Sequence, residues 1–420
     1  MVSDIVKGVA AFFAIVVCTT TILAGELQVT SDFPGGSAQV VQIDQVARRV
    51  SIRPAGDFQF GWPCWWYFRL DGIQPGETIT FEVVADQLKR ANGQALSANW
   101  ALPNRAAMSI DQNQWTQTQP GVRDKDRAVW AAKIDAGTAW FAWGPPFVPS
   151  DAEALTKRLA ESSPHATAFT LCRTRAGRTV PALTITEGGD DDGTRMAVWV
   201  QARQHAWESG ASWVGRGFAE WLTGNDPRAV ALRRQAVVYF VPIMDIDNTA
   251  TGNGGKEQVP YDHNRGWFAD TQWNAVKTAM QKLGALDQRH RLVAFIDLHN
   301  PGANSPKPFF FVAAPSLVSK QRNNHQERFI KACCSEFVAP WPLEKELKTT
   351  GPQYDPLWKR ISANWINQNT QNYVVGITLE TAWNTPHSNT TGYQMIGQRL
   401  GQGLERYLRT DPRANSSKEQ

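Results

Sequence analysis

Hydrophobic and polar positions change rhythm once along this chain, near residue 150. From about residue 26 to 145 the apolar segments are short and broken by Gly and Pro. Thr78 to Val84, TITFEVV, alternates with period two, and Trp65 to Leu70, WWYFRL, is aromatic and followed by the turn pair Asp71-Gly72. Both patterns predict strands. No stripe at 3.6-residue spacing runs through this stretch, so it reads as a small antiparallel β-sandwich. Trp143-Gly144-Pro145-Pro146 closes it, since proline interrupts helix and strand alike.

Beyond residue 150 strand-like runs alternate with amphipathic helices. The runs are Met196 to Val200, Val237 to Met244, Leu292 to Leu298, Phe309 to Ala313 and Val374 to Leu379. One helical face carries Trp213, Val214, Phe218, Trp221 and Leu222, and a second carries Trp273, Val276, Met280 and Leu283. Leu357, Ile361 and Trp365 suggest a third, and Tyr393, Ile396, Leu400, Leu404 and Leu408 a last. This alternation predicts an α/β sheet covered by helices on both sides, with chemistry beyond the carboxyl ends of its strands. The expected division is 1–25 as a leader, 26–148 as the β domain, 149–410 as the α/β domain and 411–420 as a polar tail.

The leader is residues 8–25, GVAAFFAIVVCTTTILAG, preceded by Asp4 and Lys7 and ending in small residues. It reads as an export signal, which would make the protein secreted or periplasmic. Its length also allows an uncleaved membrane anchor. Forty-three Lys plus Arg against 39 Asp plus Glu leave a net charge of +4, too small and dispersed to indicate a nucleic-acid partner. The five cysteines lack the paired spacing of a thiolate zinc site and are too few for a disulfide scaffold. Cys333-Cys334 is expected as a buried helical pair, while His263 and His325 are expected to be structural or solvent-facing. Eighteen Trp beside seven Tyr is an unusual balance, attributed to packing.

Three of the five runs end in groups able to hold a metal or move a proton. The first leads into Gln201-Ala202-Arg203-Gln204-His205-Ala206-Trp207-Glu208, the third ends Asp297-Leu298-His299-Asn300, and the last ends Thr378-Leu379-Glu380-Thr381. A catalytic zinc takes three nitrogen or oxygen ligands and leaves a position open, and His205, Glu208 and His299 supply that set. A fourth segment, Pro260-Tyr261-Asp262-His263-Asn264-Arg265-Gly266-Trp267, places a guanidinium beside an amide, a pairing suited to a carboxylate.

In this order the motifs resemble the M14 family of zinc metallocarboxypeptidases, in particular the cytosolic-type subfamily and its bacterial relatives, which carry a β domain ahead of the catalytic one. The resemblance rests on Trp65-Trp66-Tyr67-Phe68-Arg69, Ala202 to Glu208, Asp262 to Arg265 and Asp297 to His299, and covers roughly residues 60 to 405. It implies a carboxypeptidase-like mixed sheet flanked by helices and one zinc ion per chain, held by His205, Glu208 and His299. It implies Glu380 as general base, Asn264 and Arg265 as the clamp for a substrate's terminal carboxylate, and Asp262 as a hydrogen-bond acceptor for a ligand histidine. Lys256 falls where these relatives place a cation that polarises the scissile carbonyl. The implied substrates are peptide or protein C-termini. A tyrosine near the last glutamate commonly closes over substrate in the family, and neither candidate, Tyr354 or Tyr373, has matching spacing.

Two other readings stay open. The same zinc chemistry serves deacylases of N-acyl amino acids and enzymes trimming cell-wall stem peptides. A binding module is the second, with Trp62, Trp65, Trp66, Trp100 and Trp115 stacking on glycans, although tryptophans at such positions more often belong to a core.

Overall fold

A computed structural model of the chain describes residues 25–56, 58–188, 193–303, 305–344 and 347–415. The leader lies outside the described residues except for Gly25, and among the described residues no helix is long and apolar enough to cross a membrane.

Two five-stranded sheets form the β domain. One runs in the order Gln28–Thr30, Tyr67–Asp71, Thr138–Ala142, Ala107–Ser109, Thr116–Gln117, and the other Gln39–Asp44, Arg49–Arg53, Glu77–Val84, Arg127–Ile134, Val122–Asp124. Phe68 and Phe141 of the first meet Phe81 of the second with ring centres 5.9 and 4.4 Å apart, and Phe81 stacks on Trp130 at 5.3 Å. This aromatic layer is the sandwich core that the alternating pattern predicts. Trp62, Trp65, Trp66 and Trp115 are buried and Trp100 is partly buried, so packing accounts for the tryptophans raised as glycan platforms. One pairing departs from the antiparallel expectation: Arg49–Arg53 and Glu77–Val84 run parallel. Between them the chain crosses to the opposite sheet as Tyr67–Asp71, and the return crossing restores the original direction.

The α/β domain is built on an eight-stranded mixed sheet in the order Ala166–Arg173, Thr179–Ile185, Ala236–Val241, Met196–Ala202, Leu292–His299, Val375–Glu380, Phe309–Ala313, Lys348–Thr350. All five apolar runs are strands of it. Three further strands escape the apolar pattern: Ala166–Arg173 is a half-exposed edge, Thr179–Ile185 contains Pro181, and Lys348–Thr350 has only three residues. The central strands Ala236–Val241, Met196–Ala202, Leu292–His299 and Val375–Glu380 are mutually parallel. Their carboxyl ends therefore share one edge of the sheet.

The faces beginning at Trp213 and Tyr393 are the helices Gly210–Thr223 and Thr390–Leu408, and Trp273 caps the helix Asn274–Gln288. The third face is not continuous, because extended backbone at Ile361 separates the turn Trp358–Arg360 from the helix Ser362–Asn369 and leaves Leu357 exposed. Cys333 and Cys334 end the helix Lys320–Cys334, but only Cys333 is buried; a vicinal pair on a surface helix points its side chains to different sides. The four described cysteines are all unpaired. His263 and His325 are both buried and structural: His263 stacks on Trp273 at 4.5 Å, and Nδ1 of His325 lies 3.1 Å from the Tyr407 hydroxyl.

Helices Gly210–Thr223 and Thr390–Leu408 touch backbone to backbone. A Cβ at Gly397 would strike the Val214 carbonyl, and one at Gly217 would strike the Gln394 backbone. Because backbone stands opposite, neither helix can yield by changing a rotamer. Gly397→Ala is therefore expected to lower stability by about 2–3 kcal/mol; a urea unfolding midpoint equal to wild type would show that the two helices accommodate the methyl group.

Candidate metal centre

Three parallel strands deliver the chemistry to one edge of the sheet. Ala202 pairs with Leu298, and His299 pairs with Glu380, so the ends of Met196–Ala202 and Val375–Glu380 flank Leu292–His299. Immediately after Ala202 the chain turns at Arg203, whose φ of +63° is left-handed and uncommon for a side chain of this size. The buried Arg203 guanidinium holds that turn by donating to the carbonyls of Phe147 (3.2 Å) and Ala206 and to the Thr249 hydroxyl (3.3 Å). Burial lowers its pKa to about 9. The turn brings His205 and Glu208 back over the sheet edge, and Glu208 leads into the helix Gly210–Thr223.

There Nδ1 of His205 lies 2.8 Å from one Glu208 oxygen, and Nδ1 of His299 lies 2.6 Å from the other. One potential ligand atom from each of the three residues falls within 4.8 Å of the others, and all three side chains are buried. Burial opposes ionisation of Glu208, yet the two histidines outweigh it and hold its carboxyl well below the usual range. Burial likewise disfavours the His299 cation, but Asp297 and then Glu208 outweigh it and raise its pKa. Two imidazole Nδ1 atoms and a carboxylate converging in a dry site suit one divalent cation. Among the described residues this is the one group of three or more His, Cys, Asp or Glu residues placed to hold a metal.

Asp297 supplies what sequence reasoning missed. It is fully buried, and its Oδ2 lies 3.0 Å from Nε2 of His299 while accepting from the Ser362 hydroxyl (2.5 Å) and from the Gln204 amide. Gln204 in turn accepts the Trp267 indole N–H at 2.6 Å. A carboxylate accepting from Nε2 leaves Nδ1 free for a metal and fixes the ring plane. Asp297 and His299 stand two apart on a strand and so share a face, a signal present in the motif itself. Asp262, the residue expected in this role, stands 3.6 Å from Nε2 of His205, an ion-pair distance, while its Oδ2 accepts the Glu257 N–H at 3.0 Å. Burial raises its pKa, but His205, Arg265 and Lys256 outweigh that and hold it low.

Glu380 is beside the cluster. Its Oε2 is buried without a hydrogen-bond partner, and burial raises its pKa to about 7, with His299 opposing and Glu208 adding to the shift. Asn300 joins the pieces by accepting from the Ala211 N–H (2.7 Å) and donating to the Thr381 carbonyl (2.6 Å). Lys256 places its ammonium 5.4 Å over the Trp62 ring of the β domain and, with His299, opposes the rise in the Glu380 pKa.

The expected clamp is brought to the same edge but is occupied. Asn264 Oδ1 accepts from Gln204 and from the Ser362 N–H, and its Nδ2 is 3.4 Å from Nε2 of His299. Arg265 donates through Nε (2.9 Å) and Nη2 (2.8 Å) to one oxygen of Asp355, a partner for which the sequence holds no signal. Of the two tyrosines, Tyr354 is exposed beside Asp355, within electrostatic range of Arg265. Tyr373 is buried among Asp287, Arg413 and Asp411.

Residues 29–143 match the family of cytosolic carboxypeptidase N-terminal domains, and residues 152–279 match the zinc carboxypeptidase family. An uncharacterized protein of Zymomonas mobilis is 28% identical over 246 residues, covering 58% of this chain and 60% of its own. Mouse cytosolic carboxypeptidase 1 is 24% identical over 237 residues, which are 48% of this chain and 19% of the mouse protein. The chain thus spans less than two thirds of either relative. A metallo-carboxypeptidase from Burkholderia cenocepacia shares the fold, with a TM-score of 0.76 at 22% identity over 92% of this chain and 99% of that one. The chain belongs to the M14 zinc carboxypeptidases, with the cytosolic-type N-terminal domain. His205, Glu208 and His299 are the residues that would hold the zinc.

Purified protein reconstituted with zinc and dialysed is expected to retain about one ion per chain by elemental analysis. Asp297→Ala should weaken zinc affinity by about 10–100-fold, measured by competition with a chromophoric chelator. Unchanged affinity in that variant would remove Asp297 from the account.

Proposed function

We propose that the protein is a metallocarboxypeptidase that hydrolyses the last peptide bond of peptides or proteins. The observation that carries this reading is the buried convergence of His205, Glu208 and His299 with the unpartnered Glu380 carboxylate beside them. When bound, zinc supplies Lewis acidity, polarising the scissile carbonyl and acidifying a water. Glu380 accepts a proton from the water whose oxygen adds to the scissile carbonyl carbon, and delivers that proton to the leaving amine nitrogen as the C–N bond breaks. Lys256 faces the negative charge that develops on the carbonyl oxygen. Arg265 and Asn264 receive the substrate's terminal carboxylate, for which Arg265 must share or exchange Asp355. Fixing that carboxylate one residue beyond the scissile bond makes the enzyme an exopeptidase.

We also propose that the chain is exported, on the strength of the apolar run 8–25 and the small residues that end it. Intact mass of the protein recovered from its native host tests this. Loss of the leader supports a cleaved signal, and a full-length membrane-bound chain supports the anchor.

A peptide-library digest read by mass spectrometry tests the reaction. Wild type should shorten peptides by single C-terminal residues, and Glu380→Gln should lose about 10²–10⁴-fold in kcat. Only the carboxylate form of Glu380 accepts a proton, so kcat/KM should rise as pH rises through its pKa. Burial sets that pKa to about 7, and a neighbouring divalent cation favours the charged form, placing the acid limb at or below that pH. Release of acyl groups or of cell-wall stem fragments in place of C-terminal residues would favour the rival amidohydrolase reading.

A further inference from the structure

The β domain and the catalytic domain meet along a groove flanked by the segments that follow His299 and Glu380. Two adjoining cavities of about 410 and 310 Å³ share Asn99 on the β-domain side and Ala303 and Ser305 on the other. Each falls within the range of about 300–1,000 Å³ typical of ligand sites. The groove's walls are continuations of the catalytic segments: Gly302 and Ala303 follow the ligand His299 in the chain, and Trp383 and Asn384 follow Glu380. Indoles connect it to the ligands as well. Trp100 meets Trp207 edge-on at 6.0 Å, and Trp383 stacks on Trp207 at 5.9 Å, with Trp207 lying in sequence between His205 and Glu208.

We propose that this groove binds the polypeptide upstream of the scissile bond, so that the β domain forms part of the substrate site. The proposal rests on the carboxypeptidase reading and extends it to substrate class: extended, uncharged polypeptide tails rather than free dipeptides. Arg123 is the one charged side chain among the described lining residues, and it donates to the Lys125 carbonyl. The remainder offers carboxamides, hydroxyls and the partly buried Trp100, groups that hydrogen-bond peptide backbone and pack against apolar side chains.

Asn384 makes the groove preformed. Its Oδ1 accepts the N–H groups of Asn104 (2.9 Å) and Arg105 (3.3 Å) from the β domain, and its Nδ2 donates to the Ala303 carbonyl (2.6 Å). One carboxamide thus holds both walls at fixed spacing, from a backbone φ of +60° that asparagine tolerates better than most residues. Gln117 adds a second tie, donating to the Ser388 carbonyl at 2.8 Å. A wall held this way need not be ordered by the substrate, which lowers the entropic cost of binding.

The test compares kcat/KM for acetylated dipeptides and uncharged octapeptides with identical last two residues, using zinc-loaded full-length protein. Wild type should favour the octapeptide by about tenfold or more, equivalent to one further well-formed set of contacts. Asn99→Trp and Ser305→Trp, at accessible positions that line both cavities, should bring the ratio close to one. An octapeptide with acidic upstream residues should gain no more than the neutral one. A wild-type ratio near one, a ratio unchanged in both variants, or a larger gain for the acidic peptide overturns the proposal while leaving C-terminal release intact. If wild type releases no residue from any peptide, the carboxypeptidase reading fails. Calorimetric binding of the neutral octapeptide to Glu380→Gln then decides the groove alone: binding that is lost in the Asn99→Trp double variant sustains it, and no binding ends it.

Discussion

The two histidine Nδ1 atoms meeting on the Glu208 carboxylate form the interaction around which the catalytic domain is arranged. Each member is buried, and each would be costly there alone. Burial works against the charged forms of both Glu208 and His299; His205 and His299 reverse that effect at Glu208, and Asp297 with Glu208 reverses it at His299. The surrounding fold is a set of devices for holding this distance. The parallel register pairs His299 with Glu380, the left-handed turn at Arg203 returns His205 and Glu208 to the sheet edge, and Asn300 ties the ligand helix to the last strand.

A second layer decides what those groups can do. Asp297, Gln204, Trp267 and Ser362 form a buried chain of hydrogen bonds behind His299, and so the ring cannot rotate without breaking several contacts. Glu380 lies just outside this network. It carries a buried oxygen that lacks a hydrogen-bond partner. Arg265 is held by Asp355, which keeps its guanidinium neutralised and oriented.

The β domain is not an appendage to this machinery. Trp62 lies under the Lys256 ammonium, and Trp100 and Trp143 reach Trp207, which lies in the chain between His205 and Glu208. The tryptophan excess therefore has a physical place: part of it fills the sandwich, and part seals the junction between the domains where the site needs dry, rigid walls. Indoles suit that task because they exclude water over a large area with few rotatable bonds.

Much of this was legible before folding, because period and motif are local properties. The central strands announce themselves as apolar runs, since a strand buried on both faces must be apolar throughout. The ligand residues announce themselves because strand ends are where an α/β sheet exposes chemistry. Edge strands such as Ala166–Arg173 leave no comparable trace, as they are half-wet, and the face through Leu357 misleads because helical spacing over three residues cannot register one extended residue at Ile361. What the linear order determined was which side chains are candidates for the reaction. What only the tertiary structure decided was their company: Asp297 behind His299, Asp355 on Arg265, and Asn384 bridging two domains. Those partners are distant in sequence or carry no distinctive pattern, and hydrogen bonds between them exist only once the sheet register and the domain seam have brought them within reach.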